Sequence, residues 1–393
     1  MRRLALLPAR RLWAIAVAIV VVAAGGVGIA QAALGGGAKP APKPLPAAVH
    51  DALTARPVEG ITARIEFTNN LLPSGTAVRG AGGTPLLTGA TGRLWLAQDG
   101  RARLELQSDN GDVQVLVHGN DVSVYDATSN TVYKATLPAS KQNGHHTDAP
   151  PTVAAIQRTL ARVGQAWNVS GAQPTSTAGQ PSYTVRIAPK DDGGLLGAAE
   201  LAWDAARGVP LRAAVYAQGD SKPVLELKAT GISYGSVPAS DLNVAPPAGA
   251  KVVQLNPQGA GMPDHAGELK PVTGVAAVSK RLNFQLAAPQ QLAGLPRKDV
   301  RLVSIQGADG ALITYGRGLG AIVVFEHKAD GSSAQPVPTG RFELPSVNID
   351  GATGKELPTA LGTLVAFDRA GVSYTVLGSV PPVAAENAAR GLR

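Results

Sequence analysis

The sequence predicts a mainly β protein of the α+β class, and three observations predict it. Aliphatic and polar residues alternate along short stretches such as "RLELQSDNGDVQVLVHGNDVSVYD" (Arg103–Asp126), which puts one set of side chains on one face of a sheet. Asp109-Asn110-Gly111 and Gly119-Asn120 separate those stretches, and such residues tolerate the positive φ that antiparallel hairpins need. The 46 glycines and 30 prolines among 393 residues suit many short strands and turns better than long helices. Only 4% of residues are aromatic against 45% hydrophobic, so the core must be built from Val, Leu, Ile and Ala.

A chain of this length predicts two or three domains. Four of the eight net positive charges come from Arg2, Arg3, Arg10 and Arg11. No long basic run or aromatic-interleaved stripe follows them, which excludes a nucleic-acid partner. The absence of cysteine excludes disulfides, thiolate metal sites, a cysteine nucleophile and a lipidated N-terminal cysteine.

The nineteen residues Leu12–Ala30, "LWAIAVAIVVVAAGGVGIA", carry no charge. That length matches a membrane-spanning helix better than a signal-peptide core. Ala30-Gln31-Ala32 also offers a signal-peptidase site, so a cleaved, secreted form stands as the alternative. The flanking arginines orient the segment with the main body extracytoplasmic. Residues 1–34 are thus expected to be a single-pass anchor at the cell membrane or a signal, and 35–46 a Gly/Pro tether.

The first folded region is expected over 47–255. A short helix at Ala47–Ala55 opens it, followed by strands at Ile61–Thr68, Arg93–Ala97, Ala102–Gln107, Val113–Val117, Val122–Tyr125 and Thr131–Ala135. Leu71–Thr91 is Gly-rich and reads as an inserted loop. Pro151–Trp167 is an amphipathic helix, with Val153, Ile156, Leu160, Val163 and Trp167 on one stripe and Arg158 and Arg162 opposite; Asp148 marks its N-cap region. Strands resume at Ser182–Ile187, Ala199–Trp203, Leu211–Ala217 and Val224–Tyr234. Residues 256–271 read as a linker, and 272–393 as a smaller α+β domain. Its strands fall at Leu282–Gln285, Val300–Ile305, Ala311–Tyr315, Ala321–His327, Gly362–Phe367 and Val372–Leu377, with a closing helix at Pro382–Leu392.

Few patterns bear on chemistry. Gly231-Ile232-Ser233-Tyr234-Gly235 matches G-x-S-x-G, but Ser236-Val237-Pro238 follows it and cannot begin the long helix a nucleophile elbow needs. An exported hydrolase using Ser233 is therefore the weakest reading, and the chain is expected to be no enzyme. Gly316-Arg317-Gly318-Leu319-Gly320 precedes "AIVVFEH", a strand rather than a phosphate-binding helix, so it reads as a hairpin turn with a bulge. His145-His146 near Asp148 lacks a third ligand at useful spacing. No metal and no cofactor are expected.

Arg101 to Tyr133 resembles a segment of the LolA-type outer-membrane lipoprotein carriers, in which an Arg-x-Arg strand precedes an aliphatic strand, a turn glycine and a strand ending in Tyr-Asp. Arg101, Arg103, Gly119, Tyr125 and Asp126 occupy those positions here. Leu201–Asp220 and Tyr234–Val253 are similar to the family's later hairpin and closing segment. The two-region layout resembles the RseB-type periplasmic regulators. The resemblance implies an incomplete antiparallel β-barrel with a helical lid, holding an acyl lipid or lipoprotein without catalysis. It also implies an alternative, an envelope-stress sensor that binds a membrane-bound anti-sigma factor. Leu104, Leu106, Val113, Val115, Val117, Val122 and Val124 are expected to line the apolar interior, with Ile156 and Leu160 of the helix opposite them.

Overall fold

The computed structural model of the chain describes residues 37–72, 85–137, 150–191, 194–255, 272–305, 308–329 and 344–393. The anchor segment 1–34, the linker 256–271, Asp148 and the His145-His146 pair lie outside them. No helix among the described residues is long and apolar enough to cross a membrane. Two compact units are present, one ending at Pro257 and the other running from Gln258 to Arg393 and including the short stretches Leu71–Ala81 and Asp192–Leu196.

The first unit opens with helix α1 (Leu45–Thr54), which buries Leu45, Ala48 and Ala52 along one side. The expected tether is shorter than 35–46, because the Ala41 carbonyl already accepts the Tyr183 hydroxyl at 2.6 Å. Strand β1 (Gly60–Asn69) leads through α2 (Pro85–Thr88) into a meander of β2 (Ala90–Ala97), β3 (Ala102–Ser108), β4 (Gly111–His118), β5 (Asp121–Asp126) and β6 (Thr131–Thr136). Helix α3 (Val153–Ala166) is capped by Thr152, whose side chain accepts the Ala155 N–H at 3.3 Å. After it come β7 (Trp167–Val169), β8 (Gln173–Thr177), β9 (Gln180–Pro189), β10 (Leu196–Asp204), β11 (Pro210–Ala217), β12 (Leu225–Tyr234), α4 (Ala239–Leu242) and β13 (Lys251–Leu255).

These strands make one 13-stranded sheet in the order β13-β6-β5-β4-β3-β2-β1-β12-β11-β10-β9-β7, with β8 on β9. It is a curled half-barrel: β13 and β7 end the order as unjoined edges. Pairing is antiparallel from β6 through β1 to β11, and again between β9 and each of β10, β7 and β8, whereas β13 lies parallel to β6. The curl needs Gly92. It lies between Ile65 on β1 and Leu106 on β3, and a Cβ there would stand 1.9 Å from the Glu105 carbonyl oxygen. Glycine in a strand commonly marks such a bend.

The second unit has an eight-stranded sheet. Its strands are β14 (Gln291–Leu292), β15 (Leu295–Ile305), β16 (Ala308–Tyr315), β17 (Ile322–Lys328), β18 (Ser346–Ile349), β19 (Ala352–Thr359), β20 (Gly362–Arg369) and β21 (Val372–Gly378). Helices α5 (Val275–Ser279) and α6 (Pro382–Arg390) add Val278, Ala385, Ala388 and Ala389 to its core. Leu282–Gln285 is not a strand. Leu282, Phe284 and Leu286 pack on that core from irregular chain, and the following Ala287 N–H donates to the Glu326 carboxylate at 2.9 Å rather than to a sheet partner.

Candidate functional site

The expected aliphatic face exists, and strand register assembles it. Leu104 stands opposite Val115, which stands opposite Val124; Leu106 is opposite Val113, and Val117 opposite Val122. Across β2 the face continues through Leu94 to Ala63. Leu106 and Val113 are buried, whereas Leu104, Val115, Val117, Val122 and Val124 are only half-buried. Leu104 and Leu106 pack with Ile61, Ala63, Ile65, Val209, Leu94 and Ile232 in one cluster.

Helix α3 meets this face elsewhere than expected. Leu160 packs with Leu45, Ala48 and Ala52 of α1 and with Tyr183, Val185 and Trp203 of β9 and β10; Ile156 is buried. The structure therefore brings the Leu/Val set together and the helical pair together, but separately. The reason is physical: α1 has an alanine stripe that accepts α3 closely, and the two helices share the apolar side chains at the β9–β10 end. Of the described helices it is the four-residue α2, not α3, that meets β3 and β4.

The opposite face is polar. Glu200 on β10 accepts Nη1 of Arg186 at 2.5 Å and Nη1 of Arg212 at 2.6 Å, and the Tyr216 hydroxyl at 2.8 Å. Burial would raise the Glu200 pKa, but the hydrogen bonds from Arg212, Tyr216 and Arg186 outweigh it and hold the carboxyl below the usual carboxylate range. Arg212 also reaches Glu226 at 2.6 Å, and Lys228 lies 3.2 Å from Glu66 on β1. This stripe is a structural lattice of ion pairs, each charge answered by the neighbouring strand.

The residues that carry the family resemblance act in holding the meander. Arg101 pairs with Asp99 at 2.8 Å. Arg103 stacks 4.7 Å from the Trp95 ring centroid, pairs with Glu105 and donates to the Asp241 carbonyl at 2.9 Å, which pins α4 to the sheet. Gly119 takes φ 62° in the β4–β5 turn. The Tyr125 hydroxyl reaches Asn130 at 3.1 Å, and Asp126 accepts the Thr128 N–H at 3.0 Å and the Ser129 hydroxyl at 2.7 Å. Asp126→Ala is expected to lower stability by about 1–2 kcal/mol through those two bonds, read as a shift in the urea midpoint, without altering ligand binding.

Ser233 lies inside β12, and its hydroxyl donates to the Thr62 carbonyl at 3.3 Å. That is not the strand-to-helix turn that exposes a nucleophile. Gly316 and Gly318 take φ of 78° and 64° in the loop that joins β16 to β17, and Tyr315 pairs with Ile322 across that hairpin.

No family model matches the chain, and no curated protein matches it. Solved structures do. MucB in complex with MucA(peri) is 17% identical, with 89% of this chain and 96% of that one covered at a TM-score of 0.39. The MucA/MucB complex of Pseudomonas aeruginosa is 17% identical over 88% of this chain and 94% of that one, with a TM-score of 0.39. A LolA superfamily protein from Nitrosomonas europaea is 10% identical over 51% of this chain and 98% of that one, with a TM-score of 0.21. The likeness to the MucB structures spans most of this chain, and that to the LolA superfamily protein about half of it.

Proposed function

We propose that the chain is a non-catalytic, extracytoplasmic binding protein, held at the cell membrane through residues 12–30, whose first unit takes an acyl chain of a lipid or lipoprotein. One observation carries this reading. Leu104, Val115, Val117, Val122 and Val124 form a continuous aliphatic surface that is only half-buried, while α3, the longest described helix of the unit, packs at the β9–β10 end. Partly open barrels commonly enclose ligands, and an acyl chain needs only apolar area without polar partners.

Val115→Trp tests it. Val115 stands between Leu104 and Val124, so an indole there would fill the surface. A fluorescent acyl probe is expected to bind the wild type and to lose affinity at least tenfold in the variant, with the melting temperature nearly unchanged. A wild type that binds no probe, together with a variant destabilised by about 1–3 kcal/mol as overpacked cores are, would show the face to be core alone.

A second reading is a regulator whose partner is protein, such as a membrane-bound anti-sigma factor. The outer edge of β13 favours it. This strand pairs only with β6 among the described strands, and Val252 and Leu255 are exposed at 58% and 47%. An open edge is a template for an added strand. Retention of an extended peptide along that edge by a chain that ignores the acyl probe would select this reading over the first.

A further inference from the structure

Along the polar face of the first sheet, two cations break the pattern of paired charges. Arg64 on β1 and Arg93 on β2 are direct cross-strand neighbours, an arrangement in which like charges destabilise a sheet. Both are exposed, and among the described residues neither makes an ion pair or a side-chain hydrogen bond. The nearby acids bond other residues. Glu105, opposite Arg93, takes Arg103 and Gln114, and Glu66 takes Lys228 at 3.2 Å.

A local irregularity shapes the place. Arg64 pairs with Gly231 and Ile65 with Ala229, so Thr230 is an unpaired extra residue on β12. Such bulges re-aim side chains and are frequent beside functional sites. Gly231 has no side chain to displace the Arg64 guanidinium, whose Nη2 lies 3.1 Å from where a Cβ would be. The result is a groove of about 440 Å³ lined by Arg64, Arg93, Thr91, Gln107, Thr230 and Glu105, among others.

We propose that this groove binds the phosphate group of a small soluble ligand between Arg64 and Arg93. Two guanidiniums supply planar forks of N–H donors suited to phosphate oxygens. The hydroxyls of Thr91 and Thr230 and the amide of Gln107 add donors for the remaining oxygens, more than a carboxylate could use. A phosphate also cancels the repulsion between the two arginines. A planar anionic membrane suits the groove poorly, because Glu66 and Glu105 flank the arginines. The site lies on the opposite face from the acyl surface and does not depend on it.

The test is thermal unfolding of the full chain, followed by tryptophan fluorescence, with inorganic phosphate or with chloride at matched ionic strength. Phosphate is expected to raise the wild-type melting temperature above its value in chloride. Arg64→Gln and Arg93→Gln are each expected to weaken the phosphate response by roughly tenfold or more. In chloride alone neither variant should melt below the wild type, since each removes the like-charge contact; a merely structural arginine would give the reverse. Equal shifts in phosphate and chloride would overturn the proposal, as would a phosphate response that survives in the double variant. Arginine-dependent binding to phosphatidylglycerol vesicles that phosphate does not compete away would also overturn it, in favour of a membrane contact.

Discussion

Raising the pH from about 4.5 to about 8 is expected to weaken the second unit by an amount on the order of a few kcal/mol, and Glu326→Gln is expected to remove most of that dependence. Glu326 on β17 is 0% exposed. Its Oε2 accepts the Ala287 N–H, but its Oε1 has no partner. Burial penalises the carboxylate and pushes the pKa up to about 8; the bond from Ala287 works the other way and is too weak to offset it. Between the ordinary value near 4.5 and about 8 the folded state binds the proton and the unfolded state does not. Stability is therefore fully present below that window and is lost as pH rises through it. Calorimetry of the full chain measures this. All four tryptophans, at 13, 95, 167 and 203, precede the Pro257/Gln258 division, so the second unit's transition is the one without a fluorescence change. A pH-independent second transition, or one equally pH-dependent in Glu326→Gln, would count against this account.

Gly92→Val is expected to cost at least about 3 kcal/mol, the upper end for an overpacked site. The added Cβ would meet the Glu105 carbonyl at 1.9 Å, and a backbone oxygen in a ladder cannot swing aside as a side-chain tip can. Relief requires β2 and β3 to separate, which pulls Leu94 from Leu104 and flattens the curl. Urea denaturation read by Trp95 fluorescence, together with acyl-probe binding, gives both effects. Gly100→Ala provides the contrast: no atom lies within 4 Å of its added Cβ, though its φ of 90° keeps a small strain. A Gly92→Val variant as stable as wild type would mean that the two strands are free to part.

The meander from β2 to β6 was legible because three local signals agree there: alternation, β-branched residues and turn residues between the runs. Where only one signal spoke, the reading failed. "LNFQ" at 282–285 alternates as a strand does, yet its apolar side chains reach the core without a ladder. "QPTST" at 173–177 has no apolar alternation, yet it pairs with β9 because Thr175 bonds Ser182 and Thr184 across the strands at 3.0 and 2.9 Å. The apolar stripe of α3 announced that it needs a partner, but nothing local says which end of a sheet supplies one; the answer lay in Ala48 and Ala52, far away in sequence. Arg64 and Arg93 could not be joined in advance for the same reason. Their pairing depends on register and on one extra residue, Thr230.

The place of β1 in the sheet bears on how the chain is made. The hairpins β2 to β6 join neighbours in sequence and can close as each leaves the ribosome, since local contacts form early. On its other side β1 waits for β12, with Ile61 paired to Tyr234, so the intervening strands must be synthesised before that edge is covered. Until then the nascent half-sheet carries an open edge of unpaired amides and carbonyls beside the aliphatic rows of β3 to β5, the surface on which a chaperone or a neighbouring copy would act first.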